Sequence, residues 1–403
     1  MGSYTEVTRQ SWISRMGGAF KGILAGLLLF IGSFILLGWN EYRSVKEYRG
    51  LNQMESVAVA LESPSYNEVN DGVPVHFSGM ATTTETLNDP TFLVSAQALK
   101  LRRVVEMYQW KENKTTRTET KVGGAEETVT EYTYERVWSE GQISSSSFYS
   151  NIHPDTGEQM VNPSMMYSSE TYTAENVTVG DFTLSASLKA RISGSEALPV
   201  NQIPPSANFP ANAIIRDGGY YIPASLMGAT GGPQIGDYRI RFEVVRPATV
   251  TVVAVQNSNR SLTPYMEDFE LLSMGEFTLA QMFEQAQAAR ATLTWILRLV
   301  GFAMMFIGLN MILRPLSMLT EVIPLLGRIT GGILSFICFI LALVLSLITI
   351  GIMWIAVRPL LGGAILAVAA GIFLLIFFIR KKKDDAPAAA AAPPSAPPPA
   401  PGS

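Results

Sequence analysis

The chain has 403 residues, with 30 Lys+Arg against 34 Asp+Glu and a net charge of −4; only 16% of residues are charged and 48% are hydrophobic. A soluble globular chain carries about 25% charged residues, so this composition excludes a disordered or nucleic-acid-binding protein as the main class and points to a membrane. The charge is also unevenly spread. Residues 40–290 hold 19 basic and 30 acidic residues, a net of −11, and the remainder holds 11 and 4, a net of +7. One acidic extramembrane domain is therefore inserted into a basic-flanked membrane part. The single cysteine, Cys338, lies in an apolar run, which leaves no intramolecular disulfide and no cysteine-based metal site.

Four stretches have the length needed to span a hydrocarbon core of ~30 Å, about 20 residues each. A short N-terminus, residues 1–16, precedes the first crossing at 17–40, whose run Gly22–Asn40 is free of charge. No cleavage site of the small-residue type follows it. The second crossing is expected at 293–313, with Arg298 near its start, and the third at 329–357, 29 uncharged residues between Arg328 and Arg358. The fourth, 359–379, stops at Arg380-Lys381-Lys382-Lys383. Residues 314–328 read as an amphipathic connector. Arg358-Pro359 reads as a tight turn, because proline lacks an N–H and restricts its predecessor. Four crossings put both termini on one side. With the termini inside, nine basic residues flank the inner face and five the outer, so the positive-inside rule makes the termini cytoplasmic and the loop periplasmic or lumenal. Residues 380–403 read as a basic stop followed by an Ala/Pro-rich disordered tail.

The loop, residues 41–277, reads as mostly β. Val57, Val59 and Leu61 alternate, as do Val73, Val75 and Phe77. Leu99–Trp110 and Thr128–Trp138 read as two strands of a long hairpin, with turn dihedrals supplied by Gly123-Gly124. On the second strand Thr128, Thr130, Tyr132, Tyr134, Arg136 and Trp138 share a face. Asp217-Gly218-Gly219 between Ile214-Ile215 and Tyr220-Tyr221-Ile222 signals a tight hairpin. Tyr238–Val244 and Val250–Ala254 read as another pair around Arg246-Pro247-Ala248. Leu184, Leu188 and Ile192 recur every four residues, which predicts a helix over 182–192. Thr278 and Gln281 match a capping box, so an amphipathic helix is expected at 278–292. It would lie on the membrane, run on into the second crossing, or pack on the β domain.

Chemistry-bearing motifs are sparse. The two histidines, His76 and His153, are far apart and read as an exposed strand residue and a polar-loop residue; no zinc-protease, nucleophile-elbow, phosphate-loop, dinucleotide or EF-hand motif occurs. Ser335 and Ser346 read as hydroxyls that back-bond to helix carbonyls or join helices. No cofactor is expected. Gly18, Gly22 and Gly26 form a small-xxx-small stripe that would let two helices approach, and the Asn310 amide is a candidate interhelical link. Arg298 reads as snorkelling to headgroups, and Lys381, Lys382 and Lys383 as further headgroup contacts.

The run Ala98-Leu99-Lys100-Leu101-Arg102-Arg103-Val104-Val105-Glu106-Met107-Tyr108-Gln109-Trp110 resembles the transmembrane protein 43 (LUMA) family. Tyr132-Thr133-Tyr134 with Trp138-Ser139-Glu140, Gly275-Glu276-Phe277-Thr278, Met304-Met305-Phe306-Ile307-Gly308-Leu309-Asn310 and Arg358-Pro359-Leu360 are similar to it as well. The resemblance covers residues 17–380, and the chain is read as a prokaryotic-type relative. It implies an α+β membrane protein: four transmembrane helices, one N-terminal and three C-terminal, around a large inserted mostly-β domain with an OB-like module, which the strand pattern permits. It also implies an oligomerising organiser of membranes with lipid and other membrane proteins as partners, in the endoplasmic reticulum or inner nuclear membrane of eukaryotes. A prokaryotic relative would sit in the inner membrane with a periplasmic domain. A non-catalytic scaffold is thus expected, with homo-oligomers and without nucleic acid. The rivals are a channel or transporter component using Arg298 and Asn310, and a hydrolase with an unrecognised site in the loop.

Overall fold

The computed structural model describes residues 2–121, 125–204, 209–225, 232–266, 268–320, 324–355, 364 and 367–375. In chain order the elements are β1 (Tyr4–Gln10), α1 (Trp12–Val57), β2 (Val59–Ala60), β3 (Pro74–Thr82), β4 (Thr86–Asp89), β5 (Val94–Gln97), β6 (Lys100–Thr120), β7 (Glu126–Ser139), β8 (Glu170–Thr173), β9 (Thr178–Val179) and β10 (Phe182–Thr183). There follow α2 (Ala186–Arg191), β11 (Glu196–Leu198), β12 (Ile214–Arg216), β13 (Gly219–Ile222), β14 (Tyr238–Val245), β15 (Ala248–Gln256), β16 (Leu262–Thr263), β17 (Leu271–Met274), α3 (Leu279–Thr320) and α4 (Pro324–Ile355). The chain forms two compact units. One comprises Met1–Met16, Lys46–Leu293 and Glu321–Pro324, the other Gly17–Val45, Thr294–Thr320 and Leu325–Ser403.

The first unit is built on two large open sheets and a two-stranded one, β4-β5. The larger runs β1-β7-β6-β14-β13-β12, with β8 and β11 paired to β6 and β14; the smaller runs β10-β9-β3-β15-β16, with β17 and β2 on β15 and β3. Neither order closes on itself among the described strands, so an OB-like barrel is not seen. Inner-face side chains of both sheets share one core: Val75 and Phe77, Leu101, Val105 and Met107, Ile240 and Phe242, Val250 and Val252 are all buried in it. Phe77 stacks on Phe182 at 4.8 Å between centroids.

The long hairpin is present and longer than its hydrophobic pattern. β6 and β7 pair from Met107↔Ser139 to Thr120↔Glu126, and residues 122–124, where the turn was expected, lie outside the described residues. Thr130, Tyr132 and Tyr134 are buried on the shared face while Arg136 on the same face is exposed; Tyr149 stacks on Tyr132 at 4.4 Å. The hairpin at Asp217-Gly218 also forms, with Arg216 opposite Gly219. Both loop residues have positive φ, 51° and 72°, as a type I′ turn requires.

Other expectations are corrected. β14 and β15 are consecutive yet belong to different sheets: Tyr238–Val245 pairs with β6, and Ala248–Val255 pairs with β3. The chain switches sheets at Arg246-Pro247, where proline supplies a fixed bend and no N–H for a ladder. Charge complementarity favours the long-range partner, since Arg239 lies opposite Glu106 and Glu243 opposite Arg102. The helix expected over 182–192 is only α2, capped by the Ser185 side chain on the Leu188 amide; Phe182 belongs to β10. The strand expected from Val57 shrinks to β2, because α1 continues to Val57. Leu51 and Met54, one turn apart, bury against Met282, Phe283 and Phe269, and a Cβ on Gly50 would come within 2.1 Å of the Phe269 ring.

The capping box is made. The Gln281 side chain accepts from the Thr278 amide at 2.9 Å, and Thr278 Oγ1 accepts from the Gln281 amide at 3.3 Å. The amphipathic segment packs on the β unit through Met282 and Phe283 and also runs unbroken into the second apolar stretch as α3. The separate connector expected at 314–328 is mostly helix: α3 passes Pro315 to Thr320, and α4 begins at Pro324. Among the described residues, three helices are long and apolar enough to cross a membrane, over Lys21–Val57, Leu279–Leu316 and Gly332–Ile355. Of the fourth expected crossing, 359–379, only residues 364 and 367–375 are described, and they are helical. The N-terminus, expected across the membrane from the loop, is in this structure an edge strand of the loop's own sheet, with Tyr4–Gln10 antiparallel to Tyr132–Glu126.

On the outer face of the larger sheet, Glu106 accepts from Arg239 Nε at 2.5 Å, Arg239 Nη2 at 2.8 Å and Arg241 Nη2 at 2.9 Å. The hydrogen bond from Arg239, with the charges of Arg239 and Arg241, holds its carboxyl below the ordinary 4.5 despite partial burial. A carboxyl depressed by folding stabilises the fold fully above its ordinary value and loses that contribution as pH falls through the lower folded value. Glu106→Gln is therefore expected to melt below wild type near neutral pH, and the gap should close as pH drops beneath 4.5. Thermal melts across that range check this; a gap independent of pH would contradict it.

Candidate functional site among the apolar helices

The second unit contains an acid and a base where the sequence is most apolar. Charge-free Gly22–Asn40 ends at Glu41 on α1, and Arg298 lies a little more than one turn into the apolar part of α3. Glu41 is 1% exposed. Arg298 meets it in a bidentate fork, Nε to Oε1 at 2.6 Å and Nη2 to Oε2 at 2.8 Å. The indole N–H of Trp354, on α4, also donates to Glu41 Oε2. The guanidinium lies 4.7 Å from the Trp295 ring and 5.6 Å from the Trp354 ring. One carboxylate thus joins α1, α3 and α4.

Polar satisfaction extends one residue back. The Asn40 side chain is fully buried and donates to the Thr294 carbonyl at 3.1 Å. Arg43 bonds Asn40 Oδ1 at 3.5 Å and lies over Trp39. Removing one partner of a buried pair strands the other charge in low dielectric, which costs about 3–5 kcal/mol. Replacing both by apolar residues of similar volume costs far less. Glu41→Ala and Arg298→Ala are each expected to lower stability by that amount. The double change Glu41→Met with Arg298→Met should recover most of the loss in thermal unfolding followed by tryptophan fluorescence. Equal losses in single and double variants would contradict the pairing.

Below this cluster the helices close on glycine. A Cβ on Gly26 would lie 2.8 Å from Met311 Cβ and 2.9 Å from the Gly308 carbonyl; one on Gly308 would lie 2.8 Å from the Gly26 carbonyl. A Cβ on Gly301 would meet Leu37 at 2.6 Å. Of the expected stripe, Gly26 makes the close crossing, Gly22 meets only Met311 at 3.9 Å, and Gly18 has nothing within 4 Å. Leu37, Met305 and Ala342 are wholly buried alongside, and Ser346 Oγ reaches Met305 Sδ at 3.6 Å. Gly26→Leu should therefore force α1 from α3 and lower the melting temperature, whereas Gly18→Leu should leave it unchanged; a similar drop from both would contradict this seam.

The remaining sequence candidates are placed as follows. Arg298, expected among headgroups, is held by Glu41. The Asn310 amide donates to the Phe306 carbonyl of its own helix at 2.9 Å, not to a neighbouring helix. It lines a groove of about 340 Å³ with Phe306, Met311, Arg314, Leu334 and Ser335. Lys381, Lys382 and Lys383 lie outside the described residues. His76 Nε2 bonds the Phe277 carbonyl at 2.9 Å, fastening β3 to the segment before α3. His153 Nδ1 accepts from the amides of Asp155 and Thr156 at 3.3 Å. Among the described residues, no three of His, Cys, Asp and Glu come together as a metal site. Sequence reasoning missed Glu41, Trp354, Gly301 and Gly308. The signal for the first was a lone acid at the end of one apolar run and a lone base just inside the next.

Several apolar helices around a large sheet-rich insertion define an integral membrane protein of multipass type. The family model described as Transmembrane protein 43 matches residues 107–359. Transmembrane protein 43 of Mus musculus is 31% identical over 371 residues, 88% of this chain and 89% of the relative. The Homo sapiens protein of the same name is 30% identical over 88% of each chain. The Transmembrane protein 43 homolog of Drosophila melanogaster is 27% identical over 92% of this chain and 96% of its own length. No solved structure matches. The chain belongs to the transmembrane protein 43 family.

Proposed function

We propose that this protein is a non-catalytic organiser of membranes, which associates with itself and with other membrane proteins and lipid through its helices and its β domain. The observation that carries the reading is the division of α1 into two faces. Gly26 and Leu37 face the neighbouring helices, while Leu24, Leu27, Leu28, Ile31 and Ile35 are exposed along the rest of the apolar run. An internally clasped bundle with an unspent apolar stripe suits lateral contact with lipid or another chain. Within this proposal the fourth crossing at 359–379 stands, with cytoplasmic termini. The β domain is then periplasmic in a bacterial inner membrane, or lumenal in the endoplasmic reticulum or inner nuclear membrane.

The test is mass in mild detergent. The wild type is expected to run as a homo-oligomer, and Leu28→Trp with Ile31→Trp to shift it toward the monomer without lowering the melting temperature. A wild type that is monomeric at every concentration, with no co-purifying membrane protein, would contradict the proposal.

A further inference from the structure

The outer edge of β7 receives β1 through seven consecutive register pairs, Tyr4↔Tyr132 to Gln10↔Glu126. The seat is chemically specific. Arg9 Nε donates to Glu127 Oε2 at 2.9 Å, and Arg15 Nε lies 3.1 Å from Glu126 Oε2. The Tyr132 hydroxyl donates to Glu6 Oε2 at 2.9 Å, and the Tyr4 hydroxyl to the Ile152 carbonyl at 3.0 Å. Tyr4 also stands edge-on to Tyr134 at 6.2 Å. Glu126, Glu127 and Glu131 make this edge acidic; the strand it holds brings Arg9 together with Glu6, two threonines and a tyrosine, and Arg15 follows in the first turn of α1.

The only covalent route from β1 to the rest of the chain is α1, which contains an apolar run long enough to cross a bilayer. A helix that enters on one face leaves on the other. Crossing by α1 and pairing of β1 with β7 therefore exclude one another. Once α1 spans, the β7 edge loses its strand, and an unpaired strand edge is a template for another.

We propose that in the membrane-inserted protein the Glu126–Tyr132 edge is a strand-docking site for an extended segment of a partner, on the β domain's side of the membrane, that sets an arginine against Glu127 as Arg9 does. β1 marks the seat and its chemistry: main-chain pairing supplies affinity and the acidic side chains supply selection. A second copy of the same edge is disfavoured, because antiparallel self-pairing centred on Val129 sets Glu127 against Glu131. The inference does not need the organiser role; it rests on the pairing and on the crossing.

The test uses the full chain in phospholipid nanodiscs. With Cys338→Ala, a Thr5→Cys/Glu131→Cys pair is expected to form no intramolecular disulfide on oxidation; formation would show β1 in the seat and overturn the proposal. A fluorescent peptide of residues 2–11 is expected to bind saturably, to bind at least tenfold more weakly to Glu127→Lys, and to regain affinity there when the peptide carries Arg9→Glu. No saturable binding, or binding indifferent to Glu127, overturns it. Equal binding of a peptide of residues 126–132 overturns the assignment to an arginine-bearing partner in favour of a second copy.

Discussion

A carboxylate and a guanidinium inside an apolar helix bundle must find each other, because neither can be left desolvated alone. The helical unit meets that constraint with Glu41 and Arg298, and the solution fixes more than one pair. The bidentate fork sets the register of α1 against α3, and the Trp354 indole adds α4 to the same oxygen. Dispersion between apolar helices in lipid has little directional preference. Hydrogen bonds to a charged group have direction, so this cluster selects one arrangement from many that would pack comparably. The glycine crossing at Gly26 and Gly308 supplies the close approach, and the ion pair supplies the register.

The β unit uses charge in the same way but at a wet surface. Arg239 and Arg241 converge on Glu106, and Arg102 lies between Glu140 and Glu243. These pairs lie along the strand partnership that draws β14 away from its sequence neighbour. Inside, Arg103 is 3% exposed and meets Asp89 at 2.6 Å, which ties the small β4-β5 hairpin to β6. Asp89 accepts in turn from the amides of Thr91 and Phe92. The Arg102-Arg103-Val104-Val105-Glu106 run that carries the family resemblance is thus a strand whose charged residues each have a defined partner.

Elements governed by local rules were legible in the sequence. The alternation of Val75 and Phe77, the Asp217-Gly218 turn and the Thr278/Gln281 box all depend on residues within a few positions of one another, and all formed as read, while Val73 falls just before β3. Elements governed by distant partners were not. Nothing near Arg246-Pro247 says that the flanking strands belong to different sheets, since that depends on β6 and β3, more than a hundred residues earlier. α1 extends to Val57 because Leu51 and Met54 meet side chains from α3. β1 is short, polar and without an apolar face, so it becomes a strand only because an acidic edge awaits it. Of the site, Arg298 and Gly26 were visible as anomalies in apolar runs. Glu41 looked like ordinary flanking charge, because the residue that explains it lies 257 positions away.

The central claim is that the Glu41 carboxylate is sequestered among the helices and bonded by Trp354. Proton exchange of the tryptophan indoles, followed by nuclear magnetic resonance on the protein in lipid nanodiscs, reads this most directly. Trp39 and Trp295 are 54% and 66% exposed and serve as internal references. The account predicts that the Trp354 indole proton exchanges far more slowly than those two in wild type and speeds up in Glu41→Ala. A Trp354 indole that exchanges as fast as the references, or at a rate unchanged by Glu41→Ala, would contradict it.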